Sequence, residues 1–96
     1  MTNKINEESI AGWLQGRSGW KRKGDALTKE YQFESFRNTI VFVNRVASLS
    51  DDVDHHPDID IRYNKVRLTL STRQAGGITE KDLDLAERVD FATSAR

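Results

Sequence analysis

Cysteine is absent from the 96-residue chain. Its absence excludes disulfides, thiolate nucleophiles and cysteine-ligated zinc. Net charge is absent too, because 15 Lys and Arg balance 15 Asp and Glu. A dedicated nucleic-acid binder carries a basic excess, so no direct nucleic-acid binding is expected. The one basic cluster, Arg17, Lys21, Arg22 and Lys23, reads as a solvated strand and turn. No apolar run approaches the roughly 18 residues of a membrane span, and no membrane association is expected. The opening MTNKINEESI lacks the apolar region of a signal peptide, so the expected location is cytoplasmic. Repeats and low-complexity segments are missing. The length fits one domain over residues 1–96, large enough to bury a core without cross-links. Proline occurs once and histidine twice, and all three stand together as His55-His56-Pro57.

Around that triplet the pattern is regular. Asn6 suits an N-cap for a helix over Glu7–Gln15, with Ile5 and Ile10 at the two staple positions. Ile10, Trp13 and Leu14 follow helical spacing, and Gly16 suits the exit. Trp20–Lys23 reads as a weak strand and Gly24-Asp25 as a turn. Leu27, Tyr31 and Phe33 then alternate with polar residues, which predicts a second strand. Residues 35–49 form the strongest helix signal. Phe36, Ile40, Val43 and Ala47 share one face there, and Phe42, Val46 and Leu49 widen it. Such a width suggests burial on more than one side.

A second hairpin is expected over residues 58–72, with Asn64-Lys65 as a two-residue turn. Paired positions would then sum to 129. Tyr63 would face Val66, Ile61 would face Leu68 and Ile59 would face Leu70, all apolar and on one side. Thr79-Glu80-Lys81-Asp82 has capping-box spacing for a last helix, with Leu85, Val89 and Ala92 as its stripe. The order α-β-β-α-β-β-α implies an α+β fold, a four-stranded antiparallel sheet with helices packed on one face.

Carried past its open end, the predicted hairpin sets position 56 against 73 and 57 against 72. Asp54, His55, His56 and Pro57 thus meet Ser71, Thr72, Arg73 and Gln74. Histidine exchanges protons near neutrality, so the meeting suits acid–base chemistry. His56 precedes proline and is biased towards extended backbone, where adjacent side chains point to opposite faces. That alternation argues against both rings binding one metal. A metal would need a carboxylate from Asp51, Asp52, Asp54 or Asp58, at no diagnostic spacing. The remaining alternative is two solvated histidines at a strand entry.

The stretch DHHPDIDIRYNKVRLTLSTRQAGGITEKDLDLA resembles the pterin-4a-carbinolamine dehydratases. Asp51, His55-His56-Pro57, Tyr63 and Asp82 occupy the family's signature places. Gly19-Trp20, Phe33-Glu34-Ser35-Phe36 and Asn44-Arg45-Val46-Ala47 extend the likeness over residues 19–92. The resemblance implies dehydration of a 4a-hydroxytetrahydropterin to quinonoid dihydropterin, after aromatic amino acid hydroxylases have used the tetrahydropterin. It implies no metal and no separate cofactor. His55 would be the principal acid–base group, His56 would bind and orient the pterin, and Asp82 would orient the histidines. Asp54, Pro57, Ser71, Thr72, Arg73, Gln74 and Trp20 would contact substrate.

Core packing is the competing role for Trp20. Asp82 also reads as a helix-capping side chain, a role that can coexist with orienting the histidines. Tyr63 reads as core and Asp51 as helix-end solvation. The family's third histidine is replaced here by Arg73, which cannot act as a neutral base. A weakened dehydratase is therefore expected. The alternative is a non-catalytic binding, assembly or coactivator protein, since family members also serve such roles. Homodimers or homotetramers are implied as well.

Overall fold

The structure, a computed structural model, describes residues 3–94, and the two residues at each end lie outside the described span. The elements run α1 (Glu7–Gln15), β1 (Lys21–Lys23), β2 (Ala26–Gln32), α2 (Phe36–Val53), β3 (Asp58–Arg62), β4 (Lys65–Leu70) and α3 (Glu80–Ser94), with a 3₁₀ turn at Arg73–Ala75. The four strands form one antiparallel sheet in the order β1-β2-β4-β3. The helices cover one face, as the alternation of β2 and β4 requires. Leu27, Tyr31, Val66, Leu68 and Leu70 are buried beneath α1, α2 and α3, while Glu30, Arg67 and Lys65 remain exposed on the other side. The helices contribute Ile10 and Trp13, Phe42 and Val46, and Leu83, Leu85, Ala86 and Val89 to the core.

Local chemistry sets the helix starts. Asn6 accepts a hydrogen bond from the Ser9 amide, and Ser35 from the Asn38 amide. Each satisfies a donor that the first helical turn leaves open. α3 is fixed to the sheet by Asp90. Its carboxylate accepts from Trp20 Nε1 (2.7 Å), Lys29 Nζ (2.9 Å) and Tyr31 Oη (2.8 Å).

Four expectations change. α2 runs four residues beyond Leu49 and ends where Asp54 adopts left-handed backbone (φ 54°) and its amide caps the last turn. Glycine usually takes such a position; aspartate tolerates it but carries little sequence signal. The buried face of α2 also differs. Thr39, Phe42, Val46 and Ser50 are buried, whereas Phe36 and Ala47 are exposed. The face predicted as primary is the outer flank.

The β3–β4 register moves by two. Ile59 pairs with Leu68 and Ile61 with Val66, so positions sum to 127, and the turn is Tyr63-Asn64. Asn64 is drawn into the turn by β2: its side-chain amide donates to the Phe33 carbonyl, and its own carbonyl accepts from the Phe33 amide. Tyr63 takes the left-handed conformation (φ 51°), uncommon for a bulky residue. It is not core. It lies 68% exposed and stacks on Phe36, with ring centroids 6.5 Å apart. A shift of two preserves facing, so the apolar pairing survives. β3 is an edge strand, however, and Ile59 and Ile61 stay more than a third exposed.

Candidate active site

Two chain segments meet at the end of the sheet where β3 begins and β4 ends. On one side α2 closes at Asp54, and His55, His56 and Pro57 lead into β3. On the other, β4 passes through Ser71 into a loop folded on Thr72. The Thr72 amide donates to the Gly77 carbonyl (2.8 Å), and the Thr72 carbonyl accepts from the amides of Ala75, Gly76 and Gly77. Gly76 supplies the positive φ (74°) that the return needs. The loop then delivers Thr79 as the cap of α3. With pairs summing to 127, the register carried past Asp58 sets His55 opposite Thr72 and His56 opposite Ser71.

Asp82 joins the two segments. It is fully buried, yet both of its oxygens are engaged. Oδ1 lies 2.6 Å from His55 Nε2. Oδ2 accepts from the Thr72 hydroxyl (2.8 Å) and from the Thr79 amide (2.9 Å). The last bond closes the capping box, whose other half is the Lys81 amide donating to Thr79 Oγ1 (3.2 Å). Thr72 Oγ1 and Thr79 Oγ1 are 2.7 Å apart. The Thr72 proton is committed to Asp82, so Thr79 donates to Thr72.

This accounting leaves Asp82 purely an acceptor, as a carboxylate must be. His55 therefore carries a proton on Nε2. Its Nδ1 has no protein partner and is not sealed from solvent among the described residues. A buried carboxylate thus fixes the ring and leaves one nitrogen open to exchange protons. Orienting the histidine and capping the helix coexist in one carboxylate, through different oxygens.

His56 points elsewhere, as extended backbone requires. Its Nε2 lies 2.9 Å from Asp51 Oδ1, and both side chains are largely exposed. Asp51 sits in the last turn of α2 and reaches across the Asp54 cap, so it has a partner beyond solvent. Among the described residues no cluster of three or more histidine or acidic side chains is placed to hold a metal.

A cleft of about 810 Å³ opens over this junction. Asp54, His55, His56, Pro57, Ser71, Arg73 and Gln74, all expected from sequence, line it. Asp82 and Thr72 lie behind the wall; Thr72 is buried, with its hydroxyl and both backbone groups already used. Trp20 is not brought to the cleft. It precedes β1, while the β1–β2 turn and Ala26 lie at the cleft end of the sheet. Its indole is buried, bonded to Asp90 and edge-on to Trp13. Asp58, Thr69 and Lys81 also line the cleft. Sequence reasoning weighs Asp58 only as a possible metal carboxylate; Thr69 and Lys81 carry no sequence signal of their own, although Lys81 adjoins Asp82.

The chain is similar to known proteins in sequence and in fold. The sequence model of the family described as Pterin 4 alpha carbinolamine dehydratase matches residues 3–92. A protein of Thermomicrobium roseum, provisionally named pterin-4-alpha-carbinolamine dehydratase, is 51% identical over 86 residues, covering 90% of this chain and 92% of that protein. Among solved structures, a transcriptional coactivator/pterin dehydratase from Brucella melitensis superposes with a TM-score of 0.87 at 29% identity, covering 92% of this chain and 96% of that one. A pterin dehydratase-like protein identified as a RuBisCO assembly factor in the alpha-carboxysome superposes with a TM-score of 0.61 at 30% identity, over 74% of this chain and 82% of that one.

Proposed function

The chain belongs to the pterin-4a-carbinolamine dehydratase family, and from that membership we propose that it dehydrates a 4a-hydroxytetrahydropterin to the quinonoid dihydropterin by histidine acid–base catalysis. One observation carries this reading. His55 is held through Nε2 by a buried carboxylate, its Nδ1 has no protein partner among the described residues, and the residue lines a cleft of about 810 Å³, large enough for a bicyclic substrate.

The reaction breaks the C4a–O bond. The departing hydroxyl takes a proton and leaves as water, a ring N–H proton is removed, and the freed pair closes a C=N bond. One proton is given and one taken, with no change of oxidation state. A protonated His55 gives its Nδ1 proton to the hydroxyl, and the neutral imidazole then takes the ring proton. Asp82 is the positioning residue that keeps the other proton on Nε2 and stabilises the charged ring. His56, with Asp54, Pro57, Ser71 and Gln74, binds and orients the pterin. Arg73 donates hydrogen bonds but exchanges no protons at neutral pH, so His55 works without a second histidine. Turnover should be slower than in a three-histidine site, since a positioned acid–base group contributes roughly 10²–10⁴-fold. An aromatic amino acid hydroxylase is the class of reaction that supplies the substrate, in the cytoplasm.

The test is steady-state dehydration by wild type, His55→Ala and Arg73→His. Wild type should exceed the uncatalysed rate, His55→Ala should lose that excess, and Arg73→His should gain. A wild type no faster than the uncatalysed reaction, with turnover appearing only in Arg73→His, would favour a second reading. In that case the chain is a non-catalytic binding or assembly protein. Arg73 and the likeness to a RuBisCO assembly factor are the observations that support it.

A further inference from the structure

The charges around the cleft are not mixed. The wall built by the end of α2 and the entry of β3 carries Asp54 and Asp58; the wall built by the 3₁₀ turn and the first turn of α3 carries Arg73 and Lys81. Neither cation makes an ion pair or a side-chain hydrogen bond among the described residues, and neither carboxylate does. Each wall therefore keeps its sign towards whatever enters. Between them stands His55.

A pterin is polarised along its long axis. Its pyrimidine end presents the 2-amino group and the N3–H, a donor edge that suits carboxylates. The reacting C4a–N5 bond lies mid-ring, and the C6 substituent projects from the far end. A pterin seated with its donor edge on Asp54 and Asp58 would bring C4a towards His55 and its C6 substituent towards the opposite wall, where Arg73 and Lys81 stand. At about 810 Å³ the cleft is also near the upper end of small-molecule sites, with room beyond a bicyclic ring.

We infer that Arg73 and Lys81 are specificity-determining residues for a pterin whose C6 substituent carries an anion, a phosphate ester or a carboxylate. This rests on the pterin reading of the same cleft. It gives Arg73 a task that a neutral histidine would not perform: a permanently charged, forked donor that matches phosphate or carboxylate geometry. Lys81 adds a point charge from a helix start already anchored by Asp82.

The experiment is calorimetric binding of three stable probes: 6-hydroxymethylpterin, its monophosphate and pterin-6-carboxylate. Wild type, Arg73→Met, Lys81→Met and the double variant are compared at low and high salt, with the neutral pterin as the reference within each protein. Both residues are exposed, and circular dichroism verifies that the variants are folded. In wild type at least one anionic probe should bind roughly tenfold more tightly than the neutral pterin, the product of two exposed charge pairs worth a few-fold each. Which anion is preferred separates phosphate from carboxylate. The preference should shrink in each single variant, vanish in the double variant, and fall with salt. Equal affinity for all three probes overturns the inference and leaves the pterin reading standing. A preference that survives in the double variant overturns it too. Binding of none of the three overturns the pterin reading itself, and the inference with it.

Discussion

Replacing Thr72 with valine isolates what the buried hydroxyl does. The two side chains have nearly the same shape, but valine lacks the oxygen that links Thr79 to Asp82. Thr72 is 2% exposed and Asp82 is fully buried, so water cannot take the hydroxyl's place. Two bonds are lost. The bond to the Asp82 carboxylate is charge-assisted, worth about 1.5–3 kcal/mol, and the bond from the Thr79 hydroxyl is neutral, worth about 0.5–1.5 kcal/mol. Asp82 Oδ2 keeps the Thr79 amide, which softens the loss. The expected destabilisation is about 2–4 kcal/mol, a large share of the roughly 5–15 kcal/mol that holds a small domain folded. For a chain of this length that is a fall in Tm of about 10–25 °C. Urea unfolding followed by far-ultraviolet circular dichroism measures it. Thr72→Ser keeps the oxygen, removes only a methyl, and should cost about 1 kcal/mol. The His55 bond uses the other Asp82 oxygen, so nitrogen NMR should still find the proton on Nε2. A Thr72→Val protein within about 0.5 kcal/mol of wild type, or one no worse than Thr72→Ser, would refute the argument that the hydroxyl chain holds the site together.

Two further outcomes follow from the fold. Burial, and the bond it donates to the Asp90 carboxylate, push the Tyr31 hydroxyl well above its ordinary value near 10. The unfolded chain then releases a proton that the folded chain retains, so the Tyr31 contribution is whole below about pH 10 and is lost as pH rises beyond it; Tyr31→Phe should be less stable at pH 8 yet lose stability less steeply between pH 10 and 11 in urea titrations. Self-association is the second. If the homodimer or homotetramer that the family resemblance implies forms through the free β3 edge, where Ile59 and Ile61 are more than a third exposed beside the Phe36–Tyr63 stack, light scattering should find more than one chain per particle, reduced towards one by Ile59→Lys with Ile61→Lys.

Which parts of this molecule were legible in its sequence follows from the range of the forces involved. The helix starts were readable because capping acts within three residues: Asn6 and Thr79 announce α1 and α3 on their own. The strands were readable because alternation is local and the facing of Leu27 and Tyr31, or of Val66, Leu68 and Leu70, is a period-two pattern. The hairpin register was not, because Asn64 is recruited by Phe33, a residue 31 positions away. The end of α2 was hidden for a related reason: Asp54 holds a left-handed cap without the glycine that would have marked it. The inner face of α2 was misjudged because Phe36 and Phe42 are equally apolar, and only the placement of sheet and α3 decides which is covered.

The same division runs through the site. Sequence alone determined that His55 and His56 stand at an extended strand entry, that they meet the Ser71–Gln74 segment, and that Asp82 occupies a capping position. Those are consequences of backbone stereochemistry and short-range hydrogen bonding. Tertiary structure alone decided that Asp82 serves the helix cap and His55 at once, that Thr72 turns inward to join them, that Trp20 is drawn away to Asp90, and that Lys81 faces the cleft. Each of these depends on where a buried acid finds its donors, and burial is settled only when the helices have closed over the sheet.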